Sequence, residues 1–178
     1  MKRTGISLLI PLFMMAAVSS DKGMSDIESS HELGTRTMAH VAIVVRDIEA
    51  TTGAYAELFG VERPRIRLGE SPDYMGHPTG GKAKMAFINL DNISLEFFQP
   101  VGGPSAWQDF LETRGEGVHH FGFWVEGLDD HVRYFEAGQM PVVQRGGGDW
   151  GQYRYIDATG RLGIMIELLE KNSQKPSS

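Results

Sequence analysis

His40-Val41-Ala42-Ile43-Val44-Val45 and His120-Phe121-Gly122-Phe123-Trp124-Val125 are two copies of one pattern, a histidine opening a short apolar, strand-like run, at an offset of 80 residues. Each copy is followed by a second run that carries a glutamate. These are Ile93-Ser94-Leu95-Glu96-Phe97-Phe98 in the first half and Ile164-Met165-Ile166-Glu167-Leu168-Leu169 in the second, at an offset of 71. Ala42 aligns with Gly122, Val45 with Val125, Ile48 with Leu128 and Tyr55 with Phe135 at the first offset; Leu95 aligns with Ile166 and Phe97 with Leu168 at the second. Loops of unequal length absorb the difference. A duplicated unit therefore supplies two imidazoles and two carboxylates.

Working outward, Asp47 is placed to cap a helix through Ala54, Tyr55 and Leu58 that Gly60 stops. Pro64 and the stretch 69–81 read as an irregular strand and a long loop. Lys84 to Leu90 and Ile93 to Gln99 form a hairpin around Asp91-Asn92. Pro100 to Pro104 reads as a linker, and Ser105 to Arg114 as a short helix. The second unit repeats the order, with a helix from Leu128 to Ala137 stopped by Gly138, then strands at Val142 to Gln144, Tyr153 to Asp157 and Leu162 to Leu169. The expectation is an α+β fold in which two tandem βαβββ modules, residues 38–100 and 117–170, form a curved mixed sheet around a metal pocket within one domain, 38–170.

Composition sets the bounds. At 178 residues and 41% hydrophobic, the chain suits one well-buried domain, so the duplication must fold as a unit. A net charge of -6 argues against nucleic acid or an anionic membrane surface as partner, since both reward clustered Lys and Arg. No cysteine is present, which excludes disulfides, thiolate ligands and a cysteine nucleophile. Met1-Lys2-Arg3, the apolar Ile6 to Val18 and the small residues Ala17-Val18-Ser19 read as a secretory signal peptide over 1–19, too short in its apolar part to span a membrane. The expectation is a secreted or periplasmic protein, or a cytoplasmic one if Met24 or Met38 is the true start. Residues 20–37 read as a disordered lead-in and 171–178 as a flexible tail.

Side chains alternate across a strand, so His40, Ala42 and Val44 share one face, as do His120, Gly122 and Trp124. Glu96 shares its face with Ser94 and Phe98, and Glu167 with Met165 and Leu169. Taken singly, a strand-start histidine or a strand-end glutamate is an ordinary core or surface residue. Two matching pairs point instead to one divalent ion, Zn, Co, Ni, Mn or Fe, held by His40, Glu96, His120 and Glu167, because a carboxylate in apolar company needs a charge partner. Such a centre favours stabilising an oxyanion while a carboxylate moves a proton at the neighbouring carbon. Alternation turns His119 away from His120, making it structural. His31 falls in the lead-in, His131 on a helix surface and His77 in the long loop.

At these residues the chain resembles the glyoxalase I, bleomycin resistance and extradiol dioxygenase group, the vicinal oxygen chelate superfamily, and within it the methylmalonyl-CoA epimerases. The likeness covers roughly 38–170. It is most specific in Leu95-Glu96-Phe97-Phe98-Gln99-Pro100, Gly115-Glu116-Gly117-Val118-His119-His120 and Gly163-Ile164-Met165-Ile166-Glu167-Leu168. It implies paired βαβββ modules with His40, Glu96, His120 and Glu167 at the ligand positions, and a homodimer, since modules of related proteins often pair between chains. Two positions depart from it. The similar epimerases carry a second catalytic glutamate about seven residues before the Phe of the third strand, where this chain has Gly80, and a His-Pro pair where it has Asp157-Ala158.

The function expected is that of a metal-dependent isomerase, epimerase or lyase acting on a small carbonyl substrate, with Glu167 as the catalytic base and Glu96 as its partner. Trp107, Trp124, Trp150, Tyr153 and Tyr155 are expected to line the pocket, with Trp107 more a core residue, and Gly146-Gly147-Gly148 to form a mobile loop over it. Two alternatives stand beside this. A non-catalytic protein could sequester an aromatic molecule in the same cleft. A ring-cleaving dioxygenase would need a 2-His-1-carboxylate iron, which Glu96 would crowd.

Overall fold

Asp47 does what its position predicts: its carboxylate accepts the Ala50 amide at 3.0 Å and opens α1 (Ile48–Phe59), and Gly60, in a left-handed conformation, closes it. A computed structural model describes residues 33–172. The expected signal peptide and most of the lead-in and tail lie outside the described residues; Lys171, expected in the tail, ends the last strand. Before α1 runs β1 (His40–Val44), and after it β2 (Arg67–Tyr74), β3 (His77–Asn89) and β4 (Ser94–Gly102). A helix, α2 (Ala106–Thr113), capped by Ser105, leads to the second unit: β5 (Gly117–Trp124), α3 (Leu128–Ala137), β6 (Val142–Gly148), β7 (Gly151–Ile156), a short α4 (Thr159–Leu162) and β8 (Met165–Lys171). No helix among the described residues is long and apolar enough to cross a membrane.

The strands close into a barrel in the order β1-β4-β3-β2-β6-β7-β8-β5. Two joints connect the halves. β1 runs antiparallel to β5 with His40 opposite Gly122 and Ala42 opposite His120; β2 runs antiparallel to β6 with Asp73 opposite Arg145 and Tyr74 opposite Gln144. Both registers are symmetric under the sequence offsets, so the modules are related by a pseudo-two-fold axis. Within each module the first strand is parallel to the last, with Ala42 beside Glu96 and Gly122 beside Glu167. The ring closes inside one chain, and both modules meet without a second copy.

The outer faces of the two half-sheets are covered alike. Ile48 of α1 clusters with Val45, Ala86, Ile88 and Phe97, and Leu128 and Phe135 of α3 with Val125, Ile156, Ile166 and Leu168. Each such fully buried aliphatic or aromatic side chain contributes roughly 1.5–3 kcal/mol. The capping is duplicated too. Gln99 Oε1, on β4, accepts the Ile48 amide of α1 at 3.1 Å; Glu170 Oε1, at the matching place on β8, accepts the amides of Gly127, the residue before α3, and Leu128, its first, at 2.7 and 3.1 Å.

Three expectations about elements are corrected. Residues 69–81 are not an irregular strand and long loop: β2 and β3 pair from Arg67–Met85 to Tyr74–His77 and turn at Met75-Gly76, both with positive φ (54° and 77°), as two-residue hairpin turns require. Gly146, Gly147 and Gly148 are the paired end of β6, not a mobile loop. Pro100 to Gly102, expected in a linker, continue β4.

Candidate metal centre

His40, Glu96, His120 and Glu167 point into the barrel at one place. Their ligating atoms lie within 4.8 Å of one another, and all four residues are buried. His40 Nε2 is 3.2 Å from Glu96 Oε2, 2.7 Å from Glu167 Oε2 and 3.2 Å from His120 Nε2; His120 Nε2 is 3.3 Å from Glu167 Oε2 and 3.7 Å from Glu96 Oε2. Donors bound about 2.1 Å from one ion stand roughly 3.0–3.4 Å apart; three of these five separations fall in that range and the other two lie within about 0.3 Å of it. Neither carboxylate Oε2 receives an aligned hydrogen bond, although both are sealed from solvent. Two buried carboxylate oxygens without an aligned hydrogen bond favour a cation between them. The residues present fit a divalent ion.

Gly122 makes this packing possible. A Cβ there would fall 2.3 Å from His40 Nε2, so only glycine leaves room for the ring across the β1–β5 joint.

Electrostatics divide the cluster. Burial disfavours a charged His120, but the neighbouring Glu167 and Glu96 charges outweigh it and raise the imidazole to about 9. Burial alone would raise both carboxyls, which are sealed to nearly the same degree; for Glu167 the charges of His120 and His40 win and hold it at about 2, whereas Glu96, desolvated and beside Glu167, goes up. The metal-free cluster thus retains protons that an ion would displace.

His119 corrects the sequence reading. The β1–β5 register jumps from Ala42–His120 to Ile43–Val118, leaving His119 as the extra residue of a β-bulge. The bulge breaks the alternation, and His119 Nδ1 lies 2.8 Å from His120 Nδ1 instead of pointing away. Burial and the neighbouring His120 push the His119 imidazole well down, so it is neutral. The other histidines stay apart from the cluster: His77 is exposed at the start of β3, His131 is half-buried on α3, and His31 lies outside the described residues.

The cluster opens on a cavity of about 570 Å³. All five expected aromatics form part of its wall. Trp107 is also a core residue, stacked on Phe98 at 4.7 Å with its Nε1–H donating to Tyr155 Oη at 3.1 Å. Trp124 and Trp150 meet edge to face at 6.0 Å and are about half exposed. Burial, then the Glu167 and Glu96 charges, raise the Tyr155 phenol, and burial does the same for Tyr153, so both stay protonated. Sequence reasoning missed Arg67 and Glu70, which join the wall from β2. Gly80 and Asp157 lie outside that wall, and Asp157 instead accepts the Thr159 amide at 3.0 Å. The cavity's carboxylates are Glu70, Glu96 and Glu167.

A model of the glyoxalase/bleomycin resistance protein/dioxygenase superfamily matches residues 39–155. The chain belongs to this superfamily. It is 33% identical over 90 residues to an ethylmalonyl-CoA/methylmalonyl-CoA epimerase of Cereibacter sphaeroides, covering 50% of this chain and 60% of that one. It is 22% identical over 144 residues to a mitochondrial methylmalonyl-CoA epimerase of Dictyostelium discoideum, covering 79% and 81%. The crystal structure of methylmalonyl-CoA epimerase from Mycobacterium tuberculosis superposes with a TM-score of 0.54 at 20% identity, covering 78% of this chain and 89% of that one, a likeness of fold. These named relatives are enzymes.

Proposed function

We propose that the protein is a divalent-metal-dependent isomerase or epimerase that moves a proton at a carbon beside a carbonyl. The observation that carries this reading is the convergence of four buried donors, two carboxylate oxygens among them without an aligned hydrogen bond, at the floor of a closed barrel that opens on an aromatic-walled cavity. When bound, the ion would act as a Lewis acid toward negative charge on the carbonyl oxygen. His40 and His120 would hold it from the two modules. Glu167 takes the proton from the carbon, and Glu96, reaching in from the opposite module, is placed to return one. Tyr153 and Tyr155, uncharged, close the wall behind them. The epimerase relatives support a substrate with an acidic proton next to a carbonyl, acyl thioesters included, and the Trp124–Trp150 pair supports a bulky apolar or aromatic group at the mouth.

The test is exchange of the α-proton of methylmalonyl thioesters and of 2-substituted carbonyl acids in D₂O, followed by NMR with metal-loaded protein. Glu167→Gln is expected to slow exchange by about 10²–10⁴-fold when compared at equal metal occupancy, checked by elemental analysis. Exchange at the wild-type rate would overturn the assignment. The exposed tryptophan pair also favours a second reading, capture of an aromatic molecule without turnover. Under it the wild type shows no exchange, and Glu167→Gln leaves ligand affinity nearly unchanged.

A further inference from the structure

His119 has no part in the cluster itself, yet the bulge that carries it costs β5 one ladder position and places the ring against His120. His119 is 1% exposed, so no water competes for its nitrogens. Phe110 and Tyr155 hold the ring edge to face at 5.1 and 5.6 Å, which fixes its orientation. Its two nitrogens face two different partners: Nε2 is 3.3 Å from the Ala106 carbonyl oxygen, and Nδ1 is 2.8 Å from His120 Nδ1. The Ala106 peptide is itself anchored, its amide donating to Gln144 Oε1 at 2.8 Å.

The proton positions follow from these contacts. A carbonyl oxygen only accepts, so His119 Nε2, 3.3 Å from the Ala106 oxygen, is the donor of that contact. A His120 that ligates through Nε2 carries its own proton on Nδ1, and His119 Nδ1, 2.8 Å away, is the acceptor that faces it. His120 Nε2 is the nitrogen that faces His40, Glu96 and Glu167, so its lone pair is the one an ion would take up in place of a proton.

We propose that His119 is a positioning residue that locks His120 in its metal-binding tautomer through a two-bond relay, His120 Nδ1–H to His119 Nδ1 and His119 Nε2–H to the Ala106 carbonyl. The inference rests on reading the cluster as a metal site. It assigns the bulge a purpose, because regular alternation would send the His119 ring to the other face and leave His120 Nδ1 without this acceptor.

The experiment compares Zn²⁺ affinity, by competition with a chelating dye, for the wild type, His119→Phe and His119→Gln, and records long-range ¹H–¹⁵N spectra of the zinc-loaded wild type. Phenylalanine fills the space without a nitrogen, and the expected loss is about 10–100-fold. The glutamine amide can accept from His120 Nδ1–H and donate to Ala106, so His119→Gln should recover most of that loss, an effect a packing role would not produce. The wild-type spectrum should show His120 protonated at Nδ1 and metal-bound at Nε2, a result that needs no variant to fold. Wild-type affinity in His119→Phe, or zinc bound through His120 Nδ1, would overturn the relay while leaving the metal site intact. A wild type that binds no divalent ion would instead overturn the metal reading and the relay with it.

Discussion

At the scale of single residues, the decisive fact is that two carboxylate oxygens of the four-residue cluster, Glu96 Oε2 and Glu167 Oε2, are buried without an aligned hydrogen bond. Ligand binding must displace the proton that His120 holds up to about 9 in the metal-free cluster. A metal ligand has to be a neutral imidazole, so below that pH binding releases a proton and affinity rises with pH, by at most about tenfold per unit for each proton released. Calorimetric titration of metal in buffers of differing ionisation enthalpy should therefore show net proton release near neutrality, and buffer-independent heats would contradict it. These four residues were legible in the sequence because each pair repeats the other, which no lone histidine or glutamate could signal. His119 was not, since a bulge is invisible to a rule of strict alternation. Arg67 and Glu70 were missed for a different reason: their strand had been read as irregular.

Among the elements, the β1–β5 joint is where the sequence is least tolerant. Gly122→Ala puts a methyl 2.3 Å from His40 Nε2 and must expel that ring, so metal affinity should fall by at least about tenfold while circular dichroism stays native. Unchanged affinity would mean that His40 is not a ligand. The duplicated capping gives a second prediction. Glu170→Ala removes the acceptor for the Gly127 and Leu128 amides and should cost about 1 kcal/mol in denaturant unfolding, as other helix caps do. Those amide bonds lower the Glu170 carboxyl below its usual 4.5. Its contribution is thus complete above the unfolded value and lost as pH falls through the folded one, so the gap between wild type and variant should close in acid. Helices α1 and α3 were readable because Asp47, Gly60 and Gly138 announce their ends. The β2–β3 hairpin was not, because its glycines read as loop; in the fold Gly69 lies beneath the Met85 side chain and Gly76 makes the turn.

For the whole molecule, the barrel explains why a duplicated unit makes one site and not two. Each module contributes one histidine and one glutamate, and only the antiparallel β1–β5 seam with its symmetric register brings them together. The sequence showed the two copies and their strand order, but the pairing between copies is long-range, set by packing across the pseudo-two-fold axis and not by any local signal. The most direct test is metal content of the purified protein by elemental analysis, repeated for His40→Ala and His120→Ala. A shared centre predicts about one divalent ion per chain in the wild type and its loss in both variants, although the two histidines come from different halves. No bound ion after reconstitution, or full occupancy retained in either variant, would contradict it.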